Sequence, residues 1–149
     1  MRPEGLADTG ALLALLDRDD RAHRACVDAF ESIRLPLATS AAVLAELFHL
    51  VGHRPHEVTA AWKLLRSGAF VVLPITDADL PALDELMRKY RDRPMDFADA
   101  TLVLLAQRET LETVFTVDRD DFETYRIDGR KRFRVVPAPS GAHRMRRRP

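Results

Sequence analysis

The segment Leu6–Leu16 has the sequence LADTGALLALL, and its character changes at Asp8. The two residues before this acid are apolar, and after it apolar residues recur at the spacing of an α-helix. The pattern predicts a short strand that ends at Asp8 and a helix that follows at once. Asp8 then has two compatible roles, because it can cap the helix while it places a carboxylate at the end of a strand.

The rest of the chain repeats this alternation of short strands and helices. Helices are predicted over about residues 21–33, 40–51, 55–65, 76–90 and 96–108, and further strands at residues 35–38, 69–75, 113–117 and 133–136. The 69–75 segment is an uninterrupted run rich in β-branched residues, which is typical of a buried parallel strand. Strands separated by single helices predict an α/β/α sandwich with a mainly parallel central sheet, in which ligands bind at the carboxyl ends of the strands.

The composition favours one globular domain that folds without metal staples or disulfides. The chain has 149 residues, of which 46% are hydrophobic and 31% are charged, and its one cysteine, Cys26, excludes an internal disulfide and a Cys-rich zinc site. No apolar run approaches the roughly 18 residues that a membrane span needs. The first ten residues also lack the pattern of a signal peptide. We therefore expect a cytoplasmic protein with no membrane partner.

The charges are balanced in number but unevenly placed. Lys and Arg number 23, as do Asp and Glu, yet residues 130–149 contain eight basic residues and no acid. The first 129 residues therefore carry a net charge of −8. We place a single domain at residues 1–137 and a basic, flexible tail at residues 138–149. Such asymmetry favours contact with a polyanion, although a solvated terminal tail explains it equally well.

Four further acids occupy positions at which a functional role competes with a structural one. Glu46 lies within an apolar helix, where a carboxylate near the core is unfavourable unless it is paired or binds a metal. The structural alternative is a partly exposed Glu at the edge of the helix. Asp96 and Asp99 are three residues apart on one helix face, as a helix cap and a first-turn acid would be. Asp118 follows a strand, and a turn-forming Asp is the structural alternative there. Asp8 and Asp118 end strands, whereas Glu46 and Asp99 lie in helices that follow strands, so these four acids are predicted to meet at one edge of the sheet.

Four carboxylates in one cleft repel one another by about 4 kcal/mol per close pair at an effective dielectric constant of 20. They therefore need a counter-charge. Because the chain has no Cys cluster and no His pair at ligand spacing, the expected partner is a hard cation, Mg²⁺ or Mn²⁺. A metal held by carboxylates can activate water and stabilise the leaving oxygen in phosphodiester cleavage.

Four motifs in their order along the chain resemble the PIN-domain ribonucleases, and among these the VapC toxins of bacterial toxin–antitoxin pairs. The motifs are DTGALLALLD at 8–17, TS at 39–40 with Glu46 after it, MDFADA at 95–100 and TVDRDDF at 116–122. The resemblance extends from Asp8 to about Val136. One departure is the first strand, since RPEGLA precedes Asp8 where the family has several consecutive aliphatic residues. This departure predicts a short first strand.

The resemblance implies a PIN-like fold and assigns the site residues. By the resemblance, an acidic quartet binds Mg²⁺ or Mn²⁺, and its members are Asp8, Glu46, Asp99 and Asp118. Asp96 is an accessory acid beside the quartet. Two hydroxyl residues, Thr9 and Thr116, shape the site. The implied activity is metal-dependent endoribonuclease cleavage of structured RNA of the tRNA or rRNA class. The implied partners are a VapB-like antitoxin that blocks the site and a second copy of the chain in a homodimer.

Some assignments remain open on the sequence alone. Arg91, Arg93 and Arg119 flank the acidic motifs and are predicted to guide the RNA backbone, with ordinary solvated charge as the alternative. A shift in register would let Asp120 or Asp121 replace Asp118 in the quartet.

Two other functional classes also remain open. One is a non-catalytic PIN-fold module that binds RNA. The other is a Mg²⁺-dependent phosphoryl-transfer domain of receiver-like or haloacid-dehalogenase-like type. Against a receiver, the chain has no adjacent acidic pair before Asp8 and no suitable Lys after a late strand. Against a dehalogenase-like domain, Gly10 stands where its signature needs a second Asp.

Overall fold

The computed structural model describes residues 2–139. Most of the predicted basic tail lies outside the described residues, and the domain boundary at residue 137 stays a prediction. The strands are β1 (Gly5–Ala7), β2 (Leu37–Thr39), β3 (Phe70–Val72), β4 (Thr113–Phe115), β5 (Arg126–Ile127), β6 (Lys131–Arg132) and β7 (Arg134–Val136). The helices are α1 (Thr9–Leu16), α2 (His23–Ser32), α3 (Ala41–Val51), α4 (Pro55–Leu65), α5 (Leu80–Lys89), α6 (Phe97–Glu109) and α7 (Arg119–Thr124), with a 3₁₀ turn at Asp77–Asp79.

Five strands form a parallel sheet in the order β3-β2-β1-β4-β7, which is flanked by helices. This arrangement confirms the predicted α/β/α sandwich. The first strand has three residues, as its departure from the family predicts, but it lies at the centre of the sheet and is completely buried. Leu6 pairs with Ala38 of β2 on one side and with Val114 of β4 on the other. Pairing on both sides compensates for the short length of β1.

The carboxyl ends of the central strands are joined tightly at one edge of the sheet. The Asp8 N–H donates to the Phe115 carbonyl at 2.9 Å, and the Thr39 hydroxyl donates to the Ala7 carbonyl at 2.9 Å. From this edge the chain continues into α1 after β1, into α3 after β2, and into α7 after β4. Side chains at the start of these helices therefore lie near one another.

The helix α6 passes through the interior of the protein. All nine residues from Ala98 to Ala106 are buried, which is typical of a helix enclosed by structure on every side. Asp96 caps its N-terminus by accepting a hydrogen bond from the Asp99 N–H at 2.8 Å. The hydroxyls of Ser40, which caps α3, and Thr101 of α6 are 2.8 Å apart. This buried link fixes the starts of α3 and α6 relative to each other.

Several predicted boundaries and one predicted environment differ from the structure. The prediction that residues 69–75 form a buried strand is wrong in its environment, because β3 covers only Phe70–Val72 at the edge of the sheet and Val72 is 48% exposed. An edge strand has a neighbour on one side only, and apolar β-branched residues do not reveal that position. The short helix α7 and the two-stranded antiparallel β5–β6 ribbon were not predicted.

No helix within residues 2–139 is long and apolar enough to cross a membrane.

Gly10 allows a close approach between α1 and the chain after β4. A Cβ at residue 10 would clash with Val117 Cγ2. We expect Gly10→Ala to lower the free energy of unfolding by about 1–3 kcal/mol, the usual effect of overpacking, in urea denaturation. Val117→Ala removes the clashing methyl groups, so the double variant should recover most of this loss. A Gly10→Ala protein at least as stable as wild type would contradict the close approach.

Candidate active site

Asp8 lies at the buried base of the site, between β1 and α1, and is only 3% exposed. Its Oδ1 accepts a hydrogen bond from the Thr9 N–H at 2.8 Å, and its Oδ2 accepts one from the Thr116 hydroxyl at 2.7 Å. Both bonds favour the charged carboxylate, but its removal from water has the larger effect. Burial therefore raises the pKa of Asp8 to about 7, and repulsion from Asp118 and Glu46 adds to the rise.

Asp99 forms the second buried part of the base, in the first turn of α6. Its Oδ2 accepts a hydrogen bond from the buried Tyr125 hydroxyl at 2.8 Å. Burial raises the pKa of Asp99 to about 8, and repulsion from Asp8 and Asp96 acts in the same direction. Asp99 is therefore close enough to Asp8 and Asp96 for their charges to affect its ionisation.

Glu46 and Asp118 lie nearer the surface than the two buried acids. Glu46 is partly buried in the middle of α3, and Asp118 is exposed beyond the end of β4. Burial raises the pKa of Glu46, with repulsion from Asp96 and Asp118. Partial removal from water also raises the pKa of Asp118, with repulsion from Asp121 and Asp96. The structure thus places Asp8 within electrostatic reach of each of the other three acids of the predicted quartet.

Two further acids belong to the same group. Asp96 repels three members of the quartet, and Asp121 repels Asp99 and Asp118. Asp121 was considered only as a replacement for Asp118, but the structure places both near the site. We call these six residues the acidic cluster: Asp8, Glu46, Asp96, Asp99, Asp118 and Asp121.

The two predicted hydroxyl residues contribute in different ways. The Thr116 hydroxyl donates to Asp8 and accepts a hydrogen bond from the Asp118 N–H at 3.0 Å, so it links two acids of the cluster. Thr9 supports Asp8 through its backbone N–H, whereas its hydroxyl points to the Val43 carbonyl of α3 at 3.5 Å. Thr9 therefore braces α1 against α3.

Arg119 is occupied by contacts within the protein. Its guanidinium donates to the carbonyls of Val135 at 3.1 Å and Pro137 at 2.6 Å, and it pairs with Glu123. These bonds tie the end of β7 to α7. The structure gives this side chain a structural role, and its predicted contact with RNA stays a prediction.

Arg91 and Arg93 lie in the turn after α5, and both are exposed. Arg93 Nε donates to Asp121 Oδ1 at 3.3 Å, and its Nη1 donates to the Thr124 hydroxyl at 3.1 Å. Arg93 thus stands at the rim of the acidic cluster. Its position suits the predicted contact with an RNA phosphate, which stays a prediction for both arginines.

Tyr125 contacts the acidic cluster directly, and the sequence analysis missed it. It is completely buried, and its ring makes edge contacts with Tyr90 and Phe122 at centroid distances of 5.1 and 5.2 Å. Its hydroxyl donates to Asp99, which lies 26 residues earlier in the chain. The only signal in the sequence is a tyrosine shortly after the last acidic motif, and that signal does not indicate its partner.

The donor set of the acidic cluster suits a divalent cation in its chemistry. It offers only carboxylate oxygens, the ligands that Mg²⁺ and Mn²⁺ prefer. In the described part of the chain, however, no three His, Cys, Asp or Glu side chains are placed so that together they could hold a metal ion. The residues therefore fit a hard cation in type and location, while metal binding requires the carboxylates to turn toward a common point.

Comparisons with known proteins agree with this picture. The sequence profile of the PIN domain matches residues 6–128. The chain is 34% identical over 134 residues to the Mycobacterium tuberculosis protein Ribonuclease VapC26, a match that covers 89% of this chain and 99% of the relative.

Two solved structures share the fold. VapC20 from Mycobacterium tuberculosis, described as a toxin that cleaves the sarcin–ricin loop, has a TM-score of 0.70 and 22% identity over 77% of this chain and 90% of its own. PAE2754 from Pyrobaculum aerophilum has a TM-score of 0.56 and 23% identity over 91% of this chain and 92% of its own.

The raised pKa values of the buried acids predict how stability depends on pH. Asp8 and Asp99 bind protons in the folded state at pH values at which they are already ionised in the unfolded state. Without divalent ions, the free energy of unfolding should therefore fall as the pH rises from about 4 through about 8. Thermal unfolding across this range should show a shallower fall for Asp99→Asn than for wild type. Equal slopes for the two proteins would contradict the assignment.

Removal of the Tyr125 hydroxyl should raise the pKa of Asp99 further, because that hydroxyl favours the charged carboxylate. A hydrogen bond to a charged group contributes about 1.5–3 kcal/mol, so we expect Tyr125→Phe to raise this pKa by about one or more. The measurement is a ¹³C NMR titration of the Asp99 carboxyl carbon. Tyr90→Phe is the matched control, since the Tyr90 hydroxyl accepts from the Arg126 N–H. The same titration midpoint in wild type and Tyr125→Phe would show that the hydroxyl does not act on Asp99.

Proposed function

The chain belongs to the PIN-domain family, and on that basis we propose that it is a VapC-type toxin, a divalent-metal-dependent endoribonuclease that cleaves structured RNA of the tRNA or rRNA class. The observation that carries this proposal is the acidic cluster, in which two buried carboxylates and four more accessible ones lie at the carboxyl edge of a parallel sheet. The 34% identity to a ribonuclease over nearly the whole chain supports it.

We assign the metal to the predicted quartet. Asp8, Asp99 and Asp118 would hold Mg²⁺ or Mn²⁺ directly or through water, and Glu46 would join them or orient the attacking water. A divalent cation bound there would supply the positive charge that polarises a scissile phosphate and offsets the charge developing on it. The raised pKa values support the assignment, because a nearby cation favours the ionised carboxylates and so offsets both the burial and the repulsion that raise these values.

The surrounding residues hold the acids in place before substrate binds. Thr116 fixes one oxygen of Asp8, and Tyr125 fixes one oxygen of Asp99. Because hydrogen bonds hold both buried carboxylates, the turn toward a common point that metal binding requires falls mainly to Asp118 and Glu46, which lie at the more accessible side. Such support of metal ligands by neighbouring hydrogen bonds is a general feature of metal sites.

The other functional classes are less well supported. A receiver-like domain has the strand order 2-1-3-4-5, whereas here β2 and β4 lie on either side of β1. The match to the PIN domain likewise gives no support to a dehalogenase-like domain. A PIN-fold module that binds RNA without cleaving it has the same fold as a nuclease, so activity separates the two.

The proposal includes partners that follow from the relatives named VapC. We propose that a VapB-like antitoxin neutralises the protein by blocking the acidic cluster. Formation of a homodimer and location in the cytoplasm remain predictions.

The test is RNA cleavage by the purified chain, freed of bound partners, in Mg²⁺, in Mn²⁺ and in EDTA. We expect cleavage of total tRNA or ribosomal RNA with either ion and none in EDTA. Asp99→Asn should reduce the rate by about 100-fold or more, since even residues that only support a metal ligand contribute about 10- to 100-fold.

Glu31→Gln is the control, because Glu31 is an exposed acid on α2 outside the acidic cluster. It should cleave like wild type. RNA binding by a folded protein without cleavage or metal binding would favour the non-catalytic module. Cleavage that persists in EDTA or in Asp99→Asn would refute the metal mechanism.

A further inference from the structure

Two basic segments that are distant in sequence meet on one side of the protein. The first segment, residues 88–93, covers the end of α5 and the turn after it, and it contains four cations and one acid. The second segment, residues 126–132, forms the β5–β6 ribbon and also contains four cations and one acid. The Arg126 N–H donates to the Tyr90 hydroxyl at 2.9 Å. Lys89 Nζ is 3.2 Å from the position that a Cβ would take at Gly129, in the turn of the ribbon. The two segments therefore form one continuous surface.

This surface begins at the rim of the acidic cluster. Arg93, in the first segment, donates to Asp121 of the cluster at 3.3 Å. From Arg93 the turn leads through Arg91 back to Lys89, which lies against the ribbon turn, next to Arg130. We call these four residues the basic strip: Arg93, Arg91, Lys89 and Arg130.

Much of the charge on the basic strip is not neutralised by the protein. Within residues 2–139, no carboxylate forms an ion pair with Lys89, Arg91 or Arg130, and all three are exposed. Their neighbours differ, since Arg88 pairs with Asp84 and Lys131 pairs with Glu112. Each segment also contains one acid, Asp92 in the first and Asp128 in the second, against four cations.

The length of the basic strip suits an extended anion. The ribbon is attached to the far end of α6, where the Asp128 N–H donates to Gln107 Oε1 at 3.2 Å. Asp99 lies in the first turn of the same helix, eight residues earlier, which corresponds to about 12 Å along the axis. Adjacent phosphates of a nucleic-acid strand are closer together than this separation between the acidic cluster and the ribbon. A strand that extends from the cluster to the ribbon therefore has more than one phosphate along the strip.

We propose that the basic strip binds the phosphate backbone of the RNA on one side of the scissile bond. This inference rests on the proposed ribonuclease function and adds the path by which the RNA leaves the acidic cluster. Phosphate contacts of this kind position a nucleic acid without reading its sequence. The strip touches no reacting atom, so it acts on substrate binding and leaves the chemical step unchanged.

The test is a triple variant that removes three positive charges from the strip, Lys89→Gln, Arg91→Gln and Arg130→Gln. The matched control is Arg18→Gln, Arg21→Gln and Lys63→Gln, which removes three positive charges from exposed positions in the α1–α2 loop and on α4. Binding of fluorescein-labelled tRNA is measured by anisotropy in EDTA, with both triples in the Asp99→Asn background. Cleavage of unlabelled tRNA is measured in the wild-type background with Mg²⁺.

We expect the strip variant to bind at least tenfold more weakly than its parent in moderate salt. Its slope of log K against log salt concentration should be smaller in magnitude by about 2, at roughly 0.7 for each of three lost phosphate contacts in a single strand. In cleavage, KM should rise while kcat stays the same. The control triple should match its parent in all three measurements.

The outcomes separate this inference from the proposed function. If wild type cleaves RNA while the strip variant and the control bind alike, the basic strip is refuted and the ribonuclease stands. If the parent binds no tRNA at low salt, the strip is refuted as well, because phosphate contacts do not depend on RNA sequence. If binding depends on the strip but wild type never cleaves with metal, the nuclease assignment fails and the RNA-binding surface stands.

Discussion

Two carboxylates, Asp8 and Asp99, are buried near each other without a basic partner in the described part of the chain, and the site depends on how the protein tolerates them. Removal of a carboxylate from water is unfavourable, and repulsion between neighbours adds to that effect. The fold does not neutralise these charges with arginine or lysine. It stabilises them partially with hydrogen bonds from Thr9, Thr116 and Tyr125, and it leaves a strong preference for a positive charge.

The parallel sheet creates this situation because it brings the ends of β1 and β4 to the same edge. The Asp8 N–H is bonded to the Phe115 carbonyl, so the first residues after the two strands stay together. The helix α6 then carries Asp99 to the same edge, and the buried hydroxyl pair of Ser40 and Thr101 aligns it with α3. The shortness of β1 is therefore no weakness, since neighbours on both sides hold it.

The sequence was informative where local pattern and position along the chain suffice. The alternation of strands and helices predicted the parallel sheet, and acids that directly follow strands predicted which residues meet. Contacts across the fold could not be predicted in this way. Tyr125 reaches Asp99 only after α6 and α7 have packed, the carbonyl partners of Arg119 come from β7, and the edge position of β3 depends on strand order. Each of these depends on tertiary geometry that no local periodicity encodes.

The contrast between the enclosed helix α6 and the exposed turn at residues 117–121 also bears on how such a protein can diverge. A substitution between Ala98 and Ala106 disturbs packing on every side of the helix, so few residues are acceptable there. In the turn after β4, Asp120 is exposed and lies outside the acidic cluster, so many residues fit there without a packing penalty. Selection for a new RNA can therefore alter the rim of the site step by step while its buried base, and the chemistry performed there, stays intact.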